Sequence, residues 1–444
     1  MDTFNYDHQE KCIISDELGK IGWGKYQYLL FFNCLGGLSL AMVWIETTAI
    51  IMHLETFTAL EGTLLAIFMN LGTTIGTFLL SWLVSRVGRA KVFKICTIIE
   101  FCGGVISLGG SYCLYLGLFF IGFGSGGDMS VAVTVFIEQI PLKYRRYTSV
   151  LNVSWCIGGA LSSLFAFLIS RFNFLSFEAW TIQMVICTLL SLLLTILRMK
   201  TLESPIFLYE MQNKKVYDVM LAIAKRNSQE NYLAEFPLLR KETAVLDTKA
   251  SIFSKNYIHT TLFLLVVYFF SSLAYYCLLY YMPVLIPIDS EETVYYIICL
   301  QQLLGIPGVI FTLLFMDGKF GRRGPQIYGF ALSAIFVGVF ILTYDIILII
   351  FVSGIINAGM MAGLSSLYTQ TQELYPPLLR GDISGWANAD CFLAGALSPV
   401  LMQYLYDAST FWSLILIGTS FLISSLFAIG LRETRINKKK VLSS

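Results

Sequence analysis

Twelve apolar stretches lie along this chain, at 27–52, 62–84, 93–109, 112–137, 148–170, 179–198, 257–282, 292–316, 325–343, 345–371, 383–405 and 410–431. Most reach the ~20 residues that cross ~30 Å of hydrocarbon as a helix. Single strands would leave backbone groups unpaired in lipid, and the stretches lack barrel alternation, so helices are the expected spanning form. The Lys and Arg residues are read as falling in the gaps, and alternate gaps hold all of them except Arg171. The opposite gaps, with the first residues of the stretches that follow them, carry Glu55, Glu61, Glu178, Asp289, Glu291, Glu292, Asp345 and Asp407. By the positive-inside rule, this alternation predicts an even number of spans with both termini in the cytosol.

With 56% hydrophobic and 13% charged residues, the chain lies well outside the soluble globular norm. The first 25 residues are polar and the first apolar run is long, so no cleavable signal peptide is expected. The basic runs match the cytosolic ends of helices, which gives nucleic-acid binding no support. The ten Cys are scattered without metal or disulfide spacing, and the three His (His8, His53, His259) are far apart; no metal and no cofactor are expected.

The polar segment 199–256 separates six stretches from six and reads as short cytosolic helices, among them the amphipathic Val216–Asn227. Across it the sequence repeats. Glu138-x-x-Pro141-x-x-x-Arg145 returns as Glu373-x-x-Pro376-x-x-x-Arg380 at an offset of 235, and Arg86-Val-Gly88-Arg89 as Lys319-Phe-Gly321-Arg322 at 233. Glu203-Ser after the sixth stretch matches Glu433-Thr after the twelfth at 230. An offset of six helices gives parallel repeats. The expected organisation is a cytosolic N-terminus (1–26), a six-helix bundle (27–198), a cytosolic linker (199–256), a second bundle (257–431) and a cytosolic tail (432–444). In each half a Glu at the inner end of a helix, a Pro that ends it and nearby Arg residues suggest a charge-assisted latch. The gate candidates are Arg86, Arg89, Glu138, Arg145, Arg146, Asp317, Arg322, Arg323, Glu373 and Arg380.

These residues resemble the major facilitator superfamily, and more narrowly the sugar-porter-like branch that holds the synaptic vesicle 2-related proteins. The likeness rests on Ile21-Gly-Trp-Gly-Lys-Tyr-Gln27, on Glu46, and on Phe123-Gly124-Ser-Gly126-Gly127 followed by Glu138-x-x-Pro141. It rests also on Leu202-Glu-Ser-Pro205 and on Pro307-Gly308 ahead of Gly321-Arg-Arg. Ser85 stands where the loop motif has Asp, and Phe392 where the group has an Arg. The resemblance implies an all-α membrane protein of twelve transmembrane helices in two parallel six-helix repeats, the major facilitator fold. It further implies a central cavity lined by helices 1, 4, 7 and 10.

An ionisable group at membrane depth is a functional candidate by default. Asp128 lies ~15 Å from the cytosolic end of its helix and Glu46 within ~10 Å of the outer end of the first. Asp390 and the peripheral Glu100 lie ~10 Å deep or a little more. With no Lys or Arg read inside a stretch, Asp128 is expected to meet its charge with a substrate cation, a proton or polar neighbours. Neutral candidates are Asn33, Gln301 and Asn357, with Asn152 and Gln302 alongside, and Tyr275 and Tyr276 could stack on an organic solute.

The function these features predict is secondary active transport of a small organic solute by alternating access, with protons as a candidate coupling ion. The protein is expected to be a monomer in a plasma-membrane or vesicle bilayer. The alternative is a non-transporting vesicle protein acting through protein interactions; the short N-terminus and tail favour transport. An enzyme is not expected, because neither a catalytic constellation nor a phosphate-binding Gly-rich loop is present.

Overall fold

The computed structural model describes residues 14–54, 56–172, 178–229, 251–255, 257–286, 290–316, 318, 320–343, 345–375 and 377–434. Every regular element among them is helical. A short helix α1 (14–21) precedes α2 (Lys25–Ile51), α3 (Ala59–Val87), α4 (Arg89–Ser107) and α5 (Ser111–Glu138). A 3-10 segment (Leu142–Asn152) leads into α6 (Val153–Phe172), followed by α7 (Ala179–Arg198) and two short helices, α8 (Pro205–Glu210) and α9 (Lys215–Arg226). The second half comprises α10 (Ile258–Leu285), α11 (Glu291–Leu304), α12 (Ile306–Phe315), α13 (Arg323–Phe340), α14 (Ile346–Leu374), α15 (Pro377–Ala408) and α16 (Thr410–Ala428). With α11 and α12 as one crossing, α2–α7 and α10–α16 make twelve. Nine crossings qualify as membrane spans on length and apolarity alone among the described residues; α4, α13 and α15 carry more polar residues and complete the set.

Packing repeats between the halves as the sequence does. In the first half α5 packs on α3 and α4, α2 on α6 and α7, and α4 on α7. In the second, α14 packs on α12 and α13, α10 on α15 and α16, and α13 on α16. The halves meet chiefly through α3 with α15 and α6 with α11, two contacts that the repeat exchanges. Small residues set the closest crossing: a Cβ on Gly72 or Gly76 of α3 would strike the carbonyls of Phe119 and Phe123, and one on Gly122 or Gly126 of α5 those of Met69 and Thr73. Glycine at four-residue spacing lets two backbones touch, which is how helices associate where lipid supplies no hydrophobic drive.

Helix α7 turns polar side chains inward and apolar ones outward. On α7, Leu189, Leu193, Ile196 and Leu197 form an exposed stripe, while Gln183, Cys187, Thr188, Ser191 and Arg198 are buried. The amphipathic piece expected after the first bundle is α9, which buries Val216, Met220, Ile223 and Ala224. Two boundary readings need correction. Helix α4 begins at Arg89, so Arg89, Lys91 and Lys94 belong to its first turns. Arg198 is the last residue of α7 and is fully buried, so the spans are not free of cations. The eighth crossing is also broken at Gly305: Pro307 cannot donate to residue 303, and the chain tightens through bonds from Gly305 N to Gln302 O (3.1 Å) and from Gly308 N to Gly305 O (3.0 Å).

The odd crossings begin, and the even ones end, on one face rich in Lys and Arg. Exposed Lys215 on α9 lies there, and exposed Leu60 at the start of α3 lies on the other face. Membrane-impermeant thiol labelling of Leu60→Cys and Lys215→Cys should mark opposite sides of a sealed vesicle; labelling of both from one side would contradict the twelve-crossing arrangement.

Candidate functional site

On the basic face each half holds the same four-residue cluster. Arg89, in the first turn of α4, donates through Nε and Nη2 to the Glu138 carboxylate at the end of α5 (3.1 and 3.2 Å), and the Ser204 hydroxyl donates to the same carboxylate. Glu203 accepts from the Ala90 backbone N–H (2.9 Å), placing a carboxylate on the exposed amides at the start of α4, where the helix dipole favours it. Gly88, at φ +119°, brings that carboxylate close enough that a Cβ would collide with it. In the second half Arg322 binds Glu373 through Nε and Nη2 (3.0 and 2.9 Å), and the Thr434 hydroxyl donates to Glu373. Glu433 accepts from the N–H groups of Arg322 (2.8 Å) and Arg323 (3.1 Å) beside Gly321, at φ +64°. Each cluster ties three crossings of one half together. Of the other gate candidates, Arg86 is exposed over the Trp82 ring (3.9 Å). The Arg323 guanidinium donates to the Ile429 carbonyl. Asp317 and the side chains of Arg145, Arg146 and Arg380 lie outside the described residues.

Asp128 has a cation partner, contrary to the sequence expectation. Arg198 grips it through two bonds, Nη1 to Oδ1 at 2.6 Å and Nη2 to Oδ2 at 2.8 Å, with both side chains fully buried. The guanidinium also donates to the carbonyls of Phe93 (3.1 Å) and Asn33 (3.2 Å) and lies 3.6 Å from the Phe93 ring centroid. The cause is directional. Helical side chains tilt toward the N-terminus of their helix, and α7 ends on the basic face, so a cation in its last turn points back into the protein. Asn33, another candidate, serves this pair through its backbone. Asp128 is therefore the anchor of the first bundle and lies outside the cavity described below. Glu100 is fully buried near the pair, with the Ser125 hydroxyl beside its carboxyl group.

Four sequence candidates, Glu46, Gln301, Gln302 and Asn357, do converge between the halves. Gln302 of α11 donates to the Glu46 carboxylate of α2 (3.0 Å), bridging the halves. Asn357 of α14 donates to the Gln301 carbonyl (2.8 Å), at the broken turn before Pro307. A side chain thus satisfies backbone that the break frees, as irregular backbone at membrane depth requires. The Gln301 side-chain oxygen has no partner.

A cavity lies beside this bridge, between the halves. Asn152 and Trp155 line it from the first half, and Ser272, Tyr275, Tyr276, Met361, Leu364, Ser365, Tyr368 and Cys391 from the second. Trp155 meets Tyr275 edge-on, with ring centroids 5.9 Å apart, and Tyr275 meets Tyr276 the same way at 5.2 Å. The Tyr275 hydroxyl donates to the Met42 sulfur (3.2 Å) one turn from Glu46. Away from the basic face the halves are joined. Asn70 donates to the Tyr280 hydroxyl (2.5 Å), His53 to the Tyr280 carbonyl (2.6 Å), and Arg171 pairs with Glu292 (3.3 Å). Burial holds the His53 imidazole below its ordinary pKa. Asp390 precedes the lining residue Cys391, and one of its oxygens is buried without a partner. Sequence reasoning picked out Tyr275, Tyr276 and Asn152 but missed Trp155, Ser365 and Tyr368. Their signal was an aromatic or hydroxyl residue within a small-residue helix facing α10, and it appears only once α6, α10 and α14 are known to face one another.

Two repeated bundles around a cavity at membrane depth define a solute carrier. The chain belongs to the Major Facilitator Superfamily, whose sequence model matches residues 28–399. It is 28% identical over 370 residues to the putative niacin/nicotinamide transporter NiaP of Bacillus subtilis, covering 81% of this chain and 82% of that one. It is 24% identical over 357 residues to the niacin transporter NiaP of Acinetobacter baylyi, covering 76% and 77%. Synaptic vesicle glycoprotein 2B of Mus musculus is 26% identical over 224 residues, covering 46% of this chain and 32% of that protein. In fold the chain resembles the proton:xylose symporter XylE bound to 6-bromo-6-deoxy-D-glucose, at a TM-score of 0.72 with 17% identity, covering 92% and 97% of the two chains. The protein is a secondary transporter and not an enzyme.

Breaking a buried ion pair by removing one partner costs about 3–5 kcal/mol. Asp128→Asn should therefore lower the melting temperature of the purified protein sharply, and Asp128→Leu combined with Arg198→Met should recover most of the loss. An Asp128→Asn protein that melts like wild type and fails only in gradient-driven accumulation would return Asp128 to a coupling role.

Proposed function

We propose that the protein carries a small ring-bearing organic solute by alternating access, binding it among Trp155, Tyr275, Tyr276 and Tyr368. One observation carries this reading: both halves contribute aromatic rings to a single cavity at membrane depth. Aromatic faces stack on planar rings in offset or edge-on arrangements, and a site shared by two bundles changes its exposure when they rock. The niacin transporters among the relatives support a planar heteroaromatic cargo.

The basic face is cytosolic in this reading, by the charge bias of its loops. The bundles are 27–198 and 257–431, joined by the cytosolic linker 199–256, with cytosolic ends at 1–26 and 432–444. The protein acts as a monomer in a plasma-membrane or vesicle bilayer, and within the superfamily it is assigned to the sugar-porter-like branch of synaptic vesicle 2-related proteins. The two Arg–Glu clusters keep each bundle rigid at its cytosolic end, so motion is confined to the plane between the halves. With Asp128 engaged by Arg198, the proton-coupling acid is Glu46. It is buried and linked to the opposite half through Gln302, so gain or loss of its proton changes a bond between the moving parts.

Proteoliposomes given labelled pyridine solutes, with and without an imposed pH gradient, test this. Trp155→Ala should cut uptake about tenfold or more, the scale of a lost stacking and packing contact. Glu46→Gln should retain exchange yet lose accumulation driven by the gradient. Uptake indifferent to Trp155→Ala and to Tyr275→Ala would overturn the cavity assignment.

A further inference from the structure

Granting that a ring-bearing solute occupies this cavity, we infer that it binds uncharged, as a planar ring carrying a carboxamide-like group. None of the described lining residues is Asp, Glu, Lys, Arg or His. Two lining hydroxyls, those of Tyr276 and Ser365, are buried and have no hydrogen-bond partner among the described residues. Buried polar groups in native proteins are almost always paired, so two orphans on one cavity wall point to a ligand that completes them. Each hydroxyl offers one donor and accepting lone pairs. A carboxamide offers both complements, a carbonyl that accepts from a hydroxyl and an NH2 that donates to one. The surrounding rings supply flat apolar faces, and Asn152 adds a further neutral polar group from the first half.

Charge elsewhere in the core argues the same way. The fully buried cation Arg198 is committed to Asp128 through two hydrogen bonds. The acids nearest the cavity are Asp390, next to Cys391, and Glu46, one helical turn beyond Met42. An anionic solute would find no cation in the described lining. A fixed cation would find no carboxylate in the described lining. A charge left unpaired near the bilayer centre costs several kcal/mol, which a neutral ring avoids.

Three probes share one pyridine ring and differ in charge: nicotinamide is neutral, nicotinate is an anion and 1-methylnicotinamide is a fixed cation. Equilibrium binding of each to the full-length protein in lipid nanodiscs at neutral pH is the test. Nicotinamide should bind, and the two charged probes should bind roughly 100-fold more weakly. Tyr276→Phe and Ser365→Ala should each weaken nicotinamide about 3- to 10-fold, the scale of one net hydrogen bond, with the melting temperature unchanged. Trp155→Ala should remove the binding; nicotinamide binding that survives it lies elsewhere and overturns the inference. Equal or tighter binding of either charged probe overturns the neutral-ligand inference while leaving the aromatic-ring reading intact. Failure of all three probes to bind overturns both.

Discussion

The cost of leaving a charge or a polar backbone group unpaired in hydrocarbon governs this molecule. It confines the backbone to helices, and where the eighth crossing breaks at Pro307 it calls in Asn357 to bond the freed carbonyl of Gln301. It locks Asp128 and Arg198 into a two-bond pair in the first bundle. It also sends the remaining ion pairs to the faces, where Arg89–Glu138 and Arg322–Glu373 hold the helix ends. The unpaired hydroxyls of Tyr276 and Ser365 are polar groups left open in the cavity lining, where a solute would supply their partners.

The duplicated clusters explain how one fold can be both rigid and mobile. Each combines an arginine at the start of a helix, a glutamate at the end of the next, and a second glutamate capping the first helix from beyond the sixth or twelfth crossing. All members of a cluster belong to one half. Contacts between halves are mostly of another kind: edge-on aromatic rings, a Gln302–Glu46 bond and, at the face away from the basic one, tyrosine and histidine contacts beside the exposed Arg171–Glu292 pair. Such contacts can exchange for others as the bundles rock, without breaking a buried ion pair.

Much of this was legible in the sequence because two signals are one-dimensional. Apolar length marks the crossings, and the paired Glu-x-x-Pro motifs mark the ends of α5 and α14 directly. What stayed hidden needed either direction or distance. Arg198 looked like a boundary cation because hydropathy ignores side-chain tilt; its place in the last turn of a helix running toward the basic face turns it inward, onto Asp128. Trp155 and Tyr368 looked like ordinary apolar residues, since nothing local says that α6 and α14 meet across the cavity beside α10. Glu46 and Asn357 were recognised singly, but their approach through Gln301 and Gln302 depends on a helix break whose only local sign is Pro307.

The central claim is that the halves move as rigid bodies around the cavity, each held by its own Arg–Glu cluster. Pulsed dipolar distances between spin labels on the basic face measure this directly. A pair at Lys91 and Lys143, exposed positions of one half, reports within a bundle, and a pair at Lys143 and exposed Asp382 of α15 reports between bundles. The account predicts that adding solute, or changing pH, leaves the first distribution narrow and unmoved while shifting the second. A within-half distance that moves as far as the between-half distance would contradict it.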